Sequence, residues 1–395
     1  MTPSSALKVS SPAELISAVP YLLGFHPADS VAVVAFRGGK VLFAGRHDLP
    51  PPGADEEEAR ADAAHLALVV ARQGAGGAVV IGYGEPARAT PAVLRTAEAL
   101  RRVGVEVIDA LRVTDGRFWS YFCDGDDGCP GDGWPCPDEH SAIAAAATYA
   151  GQVALPDRAA LVAQIAAVTG EERDAMVAAT ARAQARLADL LAPDMNEAGF
   201  ARLLRRAGRT AIRDAERRYR SGGRLRDDEV AWLGVVLVDL TVRDYAWERT
   251  GEEEWRLALW TDVLRRVEPA YVPAPASLLS FAAWRSGLGS LARVAVERAL
   301  AQDAEYRMAL MLDEILAFGV SPAMVDGWPE MDRRDFDGAA RAEVDGSTLS
   351  RTDVDGSSRS QAGVDGSSRS RAAAIDHVAR RRRQRPKRRP GRRSI

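Results

Sequence analysis

The sequence predicts an α/β (α+β) N-terminal domain with a mixed sheet, followed by an all-helical domain and a disordered C-terminal tail. Short β-branched runs alternate with helix-period segments as far as Phe122, which is the pattern of a sheet covered by helices. Strand signals vanish from Leu155 onward. Beyond Trp328 a ten-residue motif, Val-Asp-Gly-Ser, recurs at Val344, Val354 and Val364, and Asp-Gly flanked by Ser and Arg buries too little apolar surface to fold. The expected divisions are 1–150 for the mixed domain with its Cys-containing loop, 151–330 for the helical domain, and 331–395 for the repeat linker and Arg-rich tail. A chain of 395 residues suits two domains, since single cores rarely grow beyond roughly 250–300 residues.

The elements follow in order. Ser11-Pro12-Ala13-Glu14 is a capping box with Pro at the first helical position, so a helix is expected over 12–19, stopped by Pro20 and Gly24. The apolar run 31–36 reads as a strand, Arg37-Gly38-Gly39-Lys40 as a hairpin turn, and 41–48 as the partner strand. After the Pro50-Pro51-Pro52 break come a helix over 56–73, a buried strand over 78–81 ending in Gly82-Tyr83-Gly84, and a helix opened by Thr90-Pro91. Two more strands are expected over 105–113 and 117–122. The hairpin makes the sheet mixed. Helices are then expected over 171–191, 196–220, 227–240, 252–267, 275–286 and 289–300. The last two, joined by Gly287, resemble one tetratricopeptide-like hairpin, with Leu279, Trp284, Gly287, Ala292, Ala299 and Asp303 at matching places. A single unit does not make a solenoid, which takes three or more.

The formal charge of −3 conceals an asymmetry. Ten basic and no acidic residues occupy the stretch that begins at Arg380 and ends at Arg393, leaving 42 basic against 55 acidic residues, or −13, elsewhere. Any nonspecific association with nucleic acid or another polyanion is therefore expected through the tail alone, by release of counterions. Only Lys8, Lys40 and Lys387 are Lys, and Arg abundance on that background reads as coding bias. No apolar run approaches the roughly 18 residues of a membrane helix, and no secretory signal is visible, so a cytoplasmic protein that does not engage membrane is expected.

Four groups of residues invite chemistry. Cys123, Cys129, Cys136 and His140 form a C-x5-C-x6-C-x3-H set, the donor types that close a tetrahedral zinc site, although the tight C-x2-C knuckle is missing. His26, Asp29 and Ser30 place base, carboxylate and hydroxyl together before a strand. Neighbours in sequence rarely reach triad geometry, and the competing reading has Asp29 and Ser30 satisfying backbone donors while His26 packs on Tyr21. Gly82-Tyr83-Gly84 lies where α/β folds take ligands, without completing G-x-G-x-x-G. Arg243 and Asp244 could line an interdomain cleft or form an ion pair.

The opening SPAELISAVPYLLGFHPADSVAVV, together with Trp119-Ser120-Tyr121, Cys123, Cys129-Pro130, Val242-Arg243-Asp244, Trp247 and FAAWRSGLGSLARVAVERAL from Phe281, resembles a bacterial family known as domain of unknown function 4192. The resemblance covers Ala6 to Pro322 and departs after Cys123, where the loop is richer in Asp and Gly. It implies a coherent folded body and brings no activity or cofactor. The functional expectation is a non-enzymatic cytoplasmic binding or adaptor protein whose helical domain presents a surface to a protein partner. The alternatives are a small-molecule-binding or hydrolytic enzyme with an interdomain cleft lined by His26, Asp29 and Arg243, and nucleic-acid association through the tail.

Overall fold

The computed structural model describes residues 11–123, 130–137, 141–149, 151–191 and 195–324. The repeat linker and Arg-rich tail, and the expectation of disorder there, lie outside them. Helix α1 (Pro12–Leu23) starts at Ser11, whose side chain accepts the Glu14 N–H at 3.2 Å. It does not stop at Pro20. Val19, Pro20 and Leu23 are all buried, and this packing outweighs the one backbone hydrogen bond that Pro removes. Gly24 ends the helix in the left-handed region, φ 81°.

Strands β1 (Ser30–Arg37) and β2 (Lys40–Asp48) form the expected hairpin. Helix α2 (Glu56–Arg72) leads to β3 (Gly77–Tyr83), and α3 (Pro86–Arg102) to β4 (Glu106–Thr114). Pro91 lies inside α3, which begins a turn earlier than its Thr90-Pro91 signal because Pro86 sits at its start. Then come β5 (Arg117–Ser120) and a two-residue β6 (Trp134–Pro135). The sheet order is β2-β1-β3-β4-β5-β6. Only β3 and β4 are parallel, and every other pairing is antiparallel. Every residue of β3 is buried, which explains why it reads as an unbroken apolar run without alternation.

The remainder is helical: α4 (Ala142–Tyr149), α5 (Arg158–Gln164), α6 (Gly170–Asp189), α7 (Glu197–Arg220), α8 (Asp227–Val236), α9 (Leu240–Glu248), α10 (Glu254–Arg266), α11 (Pro273–Arg285), α12 (Gly289–Gln302) and α13 (Arg307–Ala317). The helix expected over 227–240 stops at Val236, and a separate helix, α9, begins at Leu240. Asp239 caps α9 by accepting from the N–H groups of Thr241 and Val242, and that cap ends one helix and starts the next.

Two cores flank the sheet. Val31, Val33 and Ala35 of β1 join Ala63, Val70, Val93 and Leu100 of α2 and α3. On the other face Ala32, Val34, Val79 and Ile81 join α1, and the same cluster continues through Met176, Ile212, Trp260, Leu278 and Leu312 of the helical part. The end of α13 also returns to α2 of the sheet layer: His65 hydrogen-bonds the Ala317 carbonyl at 2.9 Å, and the Arg72 guanidinium lies over the Phe318 ring.

Candidate functional site

The residues with chemistry in the sequence are dispersed. His26 is exposed, and its backbone N–H donates to the Leu155 carbonyl at 2.9 Å. Asp29, at φ 43°, does not cap the turn with its side chain; its carboxylate takes the Arg88 guanidinium at 2.7 Å, while its carbonyl accepts the Leu49 N–H. The Ser30 hydroxyl is fully buried and has no hydrogen-bond partner among the described residues. The carboxyl end of β3, where an α/β fold takes ligands, is closed by that ion pair: a side chain at Gly84 would meet Leu49 and Asp29 at 3.1 and 3.2 Å. Arg243 pairs with its neighbour Asp244 at 2.9 Å and reaches the Tyr306 hydroxyl at 3.4 Å.

Cys129 and His140 of the expected zinc set lie outside the described residues. Cys136 is a free thiol packed against the core, and burial pushes it up from its ordinary pKa. Cys123 sits at the surface after β5. Among the described residues no group of three or more His, Cys, Asp or Glu side chains is placed to hold a metal, and no helix is long and apolar enough to cross a membrane.

A large open groove lies elsewhere, between α6, α7 and α8. It encloses about 580 Å³ over Leu190, Leu203, Ala207, Ala211, Leu225 and Trp232, the size and apolar character of a binding cleft. The small residues come from one face of α7, where Ala207, Ala211 and Ala215 recur every four positions and leave room above the helix. Charged side chains rim it. Arg186 of α6 stacks on the Trp232 ring at 4.0 Å. Arg218 and Arg226 both bond Glu229, at 3.2 and 3.1 Å. Burial would push the Glu229 carboxyl up, but the backbone and side-chain bonds from Arg226 and the charge of Arg218 hold it below the usual range. Arg206 has no carboxylate partner among the described residues. A second cavity, between β1, α2 and α3, holds about 20 Å³, room for one water.

Behind the groove α7 is fixed by ion pairs. Glu216, 4% exposed, accepts from Arg249 at 3.0 Å and from Arg256 at 3.3 Å. Asp262 of α10 accepts from Tyr219 at 2.5 Å, Arg224 at 2.8 Å and Arg266 at 2.8 Å. Burial opposes the Asp262 charge, and these donors more than offset it, so its carboxyl stays below the ordinary value. The Tyr219 phenol moves the opposite way, pushed up by burial, then by the hydrogen bond to Asp262 and its charge. None of the groove residues was singled out in the sequence. The available signal was the small-residue spacing on α7, which reads equally as helix packing.

The fold and the groove together define a mixed α/β protein with an attached helical layer that carries an open, charged cleft. The chain belongs to the family described as domain of unknown function (DUF4192), whose model matches residues 12–323. No curated protein and no solved structure matches it.

Proposed function

We propose that this is a non-enzymatic, cytoplasmic binding or adaptor protein whose helical layer receives a protein partner in the groove between α6, α7 and α8. The observation that carries this reading is the groove itself, an apolar floor under charged rims, while His26, Asp29 and Arg243 each engage separate partners. An apolar trough bordered by charged side chains suits an amphipathic helix of the partner, its apolar stripe on Leu203, Ala207 and Ala211 and its acidic flank on Arg186. The α11–α12 hairpin, matched to a tetratricopeptide-like unit by sequence, offers a further helical surface to the same class of partner.

The test compares proteins captured from the native host by the full-length chain and by Leu203→Glu. Leu203 is 39% exposed, so the substitution is expected to leave the melting temperature within the range of ordinary surface changes. The reading expects one partner enriched by the wild type and lost with the variant. The same set captured by both proteins would count against it.

A further inference from the structure

Net charge averages over a surface, and the acidic total of the body conceals a basic line on it. Helix α7 carries eight Arg against three acidic residues. Arg205, Arg217 and Arg218 are paired, with Asp239, Asp214 and Glu229. The other five, Arg202, Arg206, Arg209, Arg213 and Arg220, form no salt bridge among the described residues, although the charge of Arg220 acts on the nearby Glu253 carboxyl. At 100° per residue these five fall within about 60° of one helix face, and at 1.5 Å per residue they span about 27 Å. Arg202, Arg206, Arg213 and Arg220 are exposed. Of the acids on α7 itself, the one nearest this arc, Glu216, is buried under Arg249 and Arg256. Two aromatic rings flank the line, each between two guanidiniums: Tyr245 between Arg209 and Arg249, both at 5.3 Å, and Trp255 between Arg220 at 5.1 Å and Arg256 at 4.2 Å.

We propose that the exposed arginine face of α7 binds the phosphate backbone of nucleic acid, as a site on the folded body separate from the tail. A row of unneutralised guanidiniums about one helical turn apart matches a polymer of regularly spaced anions, which releases condensed counterions on binding. Lipid is the poorer match. Interfacial helices need a broad exposed apolar face beside the basic one, whereas Ile212, Ala215 and Tyr219 of α7 are buried in the core and its Leu203, Ala207 and Ala211 floor a groove. The contacts are to phosphate, so the site positions nucleic acid without reading its sequence.

The test is a salt titration of the affinity of full-length protein for a short labelled DNA duplex. The wild type is compared with a variant carrying Arg202→Gln, Arg206→Gln and Arg213→Gln, and with one carrying Gln at Arg381, Arg382 and Arg383 of the tail. Each phosphate contact contributes about −0.9 to the slope of log affinity against log salt, so the α7 variant is expected to flatten the slope by about 2.7. Lys at the same three α7 positions should restore the slope, which separates lost charge from lost fold. A slope changed only by the tail variant would overturn the proposal. So would the absence of binding, or full competition by poly-glutamate or by phosphatidylserine vesicles. Ala211→Trp, which fills the groove, should leave DNA binding intact, so this site and the proposed partner site fail independently.

Discussion

Asp262 shows at the scale of single residues how the helical layer is held. It is one carboxylate facing Arg224, Arg266 and the Tyr219 phenol, and Arg266 is buried, with further bonds to the Leu225 carbonyl and Asp227. Removing one partner of a buried pair leaves an uncompensated charge, so Asp262→Asn should cost about 3–5 kcal/mol in urea unfolding. The pH dependence follows from the sign of the shift. The folded carboxyl lies below its unfolded value, so its contribution is complete above the ordinary carboxylate range and is lost as pH falls through the folded pKa. Stability of the wild type should therefore decline below about pH 4 more steeply than that of the Asn variant. Parallel acid limbs in the two proteins would remove Asp262 from this role. Only the i,i+4 pair of Asp262 with Arg266 stands in the sequence; Arg224 and Tyr219 lie 38 and 43 residues away, outside α10, so their contacts do not.

Among the elements, local sequence rules place the strands and most helices, and they fail where packing overrides them. The β1–β2 hairpin, β3 and α2 follow directly from β-branched runs, Gly-Gly and an acidic first turn. Pro20 misreads as a break, because a buried helix face outweighs one lost hydrogen bond, and Pro91 misreads as a helix start that Pro86 takes instead. The Arg line of α7 stands in the sequence at helical spacing, yet only the positions of the carboxylates show which arginines are neutralised. Close helix contact accounts for Gly208. A β-carbon there would lie 2.6 Å from Val242 of α9, so Gly208→Ala should destabilise by about 1–3 kcal/mol despite the better helix propensity of Ala. Val242→Ala in the same chain should recover part of that loss. If Gly208→Ala proves stabilising on its own, α7 and α9 do not pack this tightly.

For the molecule as a whole, the sequence suggests two domains, and one continuous core runs from β1 and β3 through α7 to α13. Shared burial couples the parts, so calorimetry of the full chain should give a single unfolding transition; two resolved transitions would show that the sheet and the helical layer fold separately. The central claim is that the groove between α6, α7 and α8 is where a partner sits. Its most direct test is photo-crosslinking in the native host from Thr210 in the groove, with Leu94, exposed on α3, as the control position. The account predicts one dominant adduct from Thr210, absent from Leu94 and suppressed by Ala211→Trp. Equal adducts from both positions, or an adduct from Thr210 indifferent to filling the groove, would contradict it.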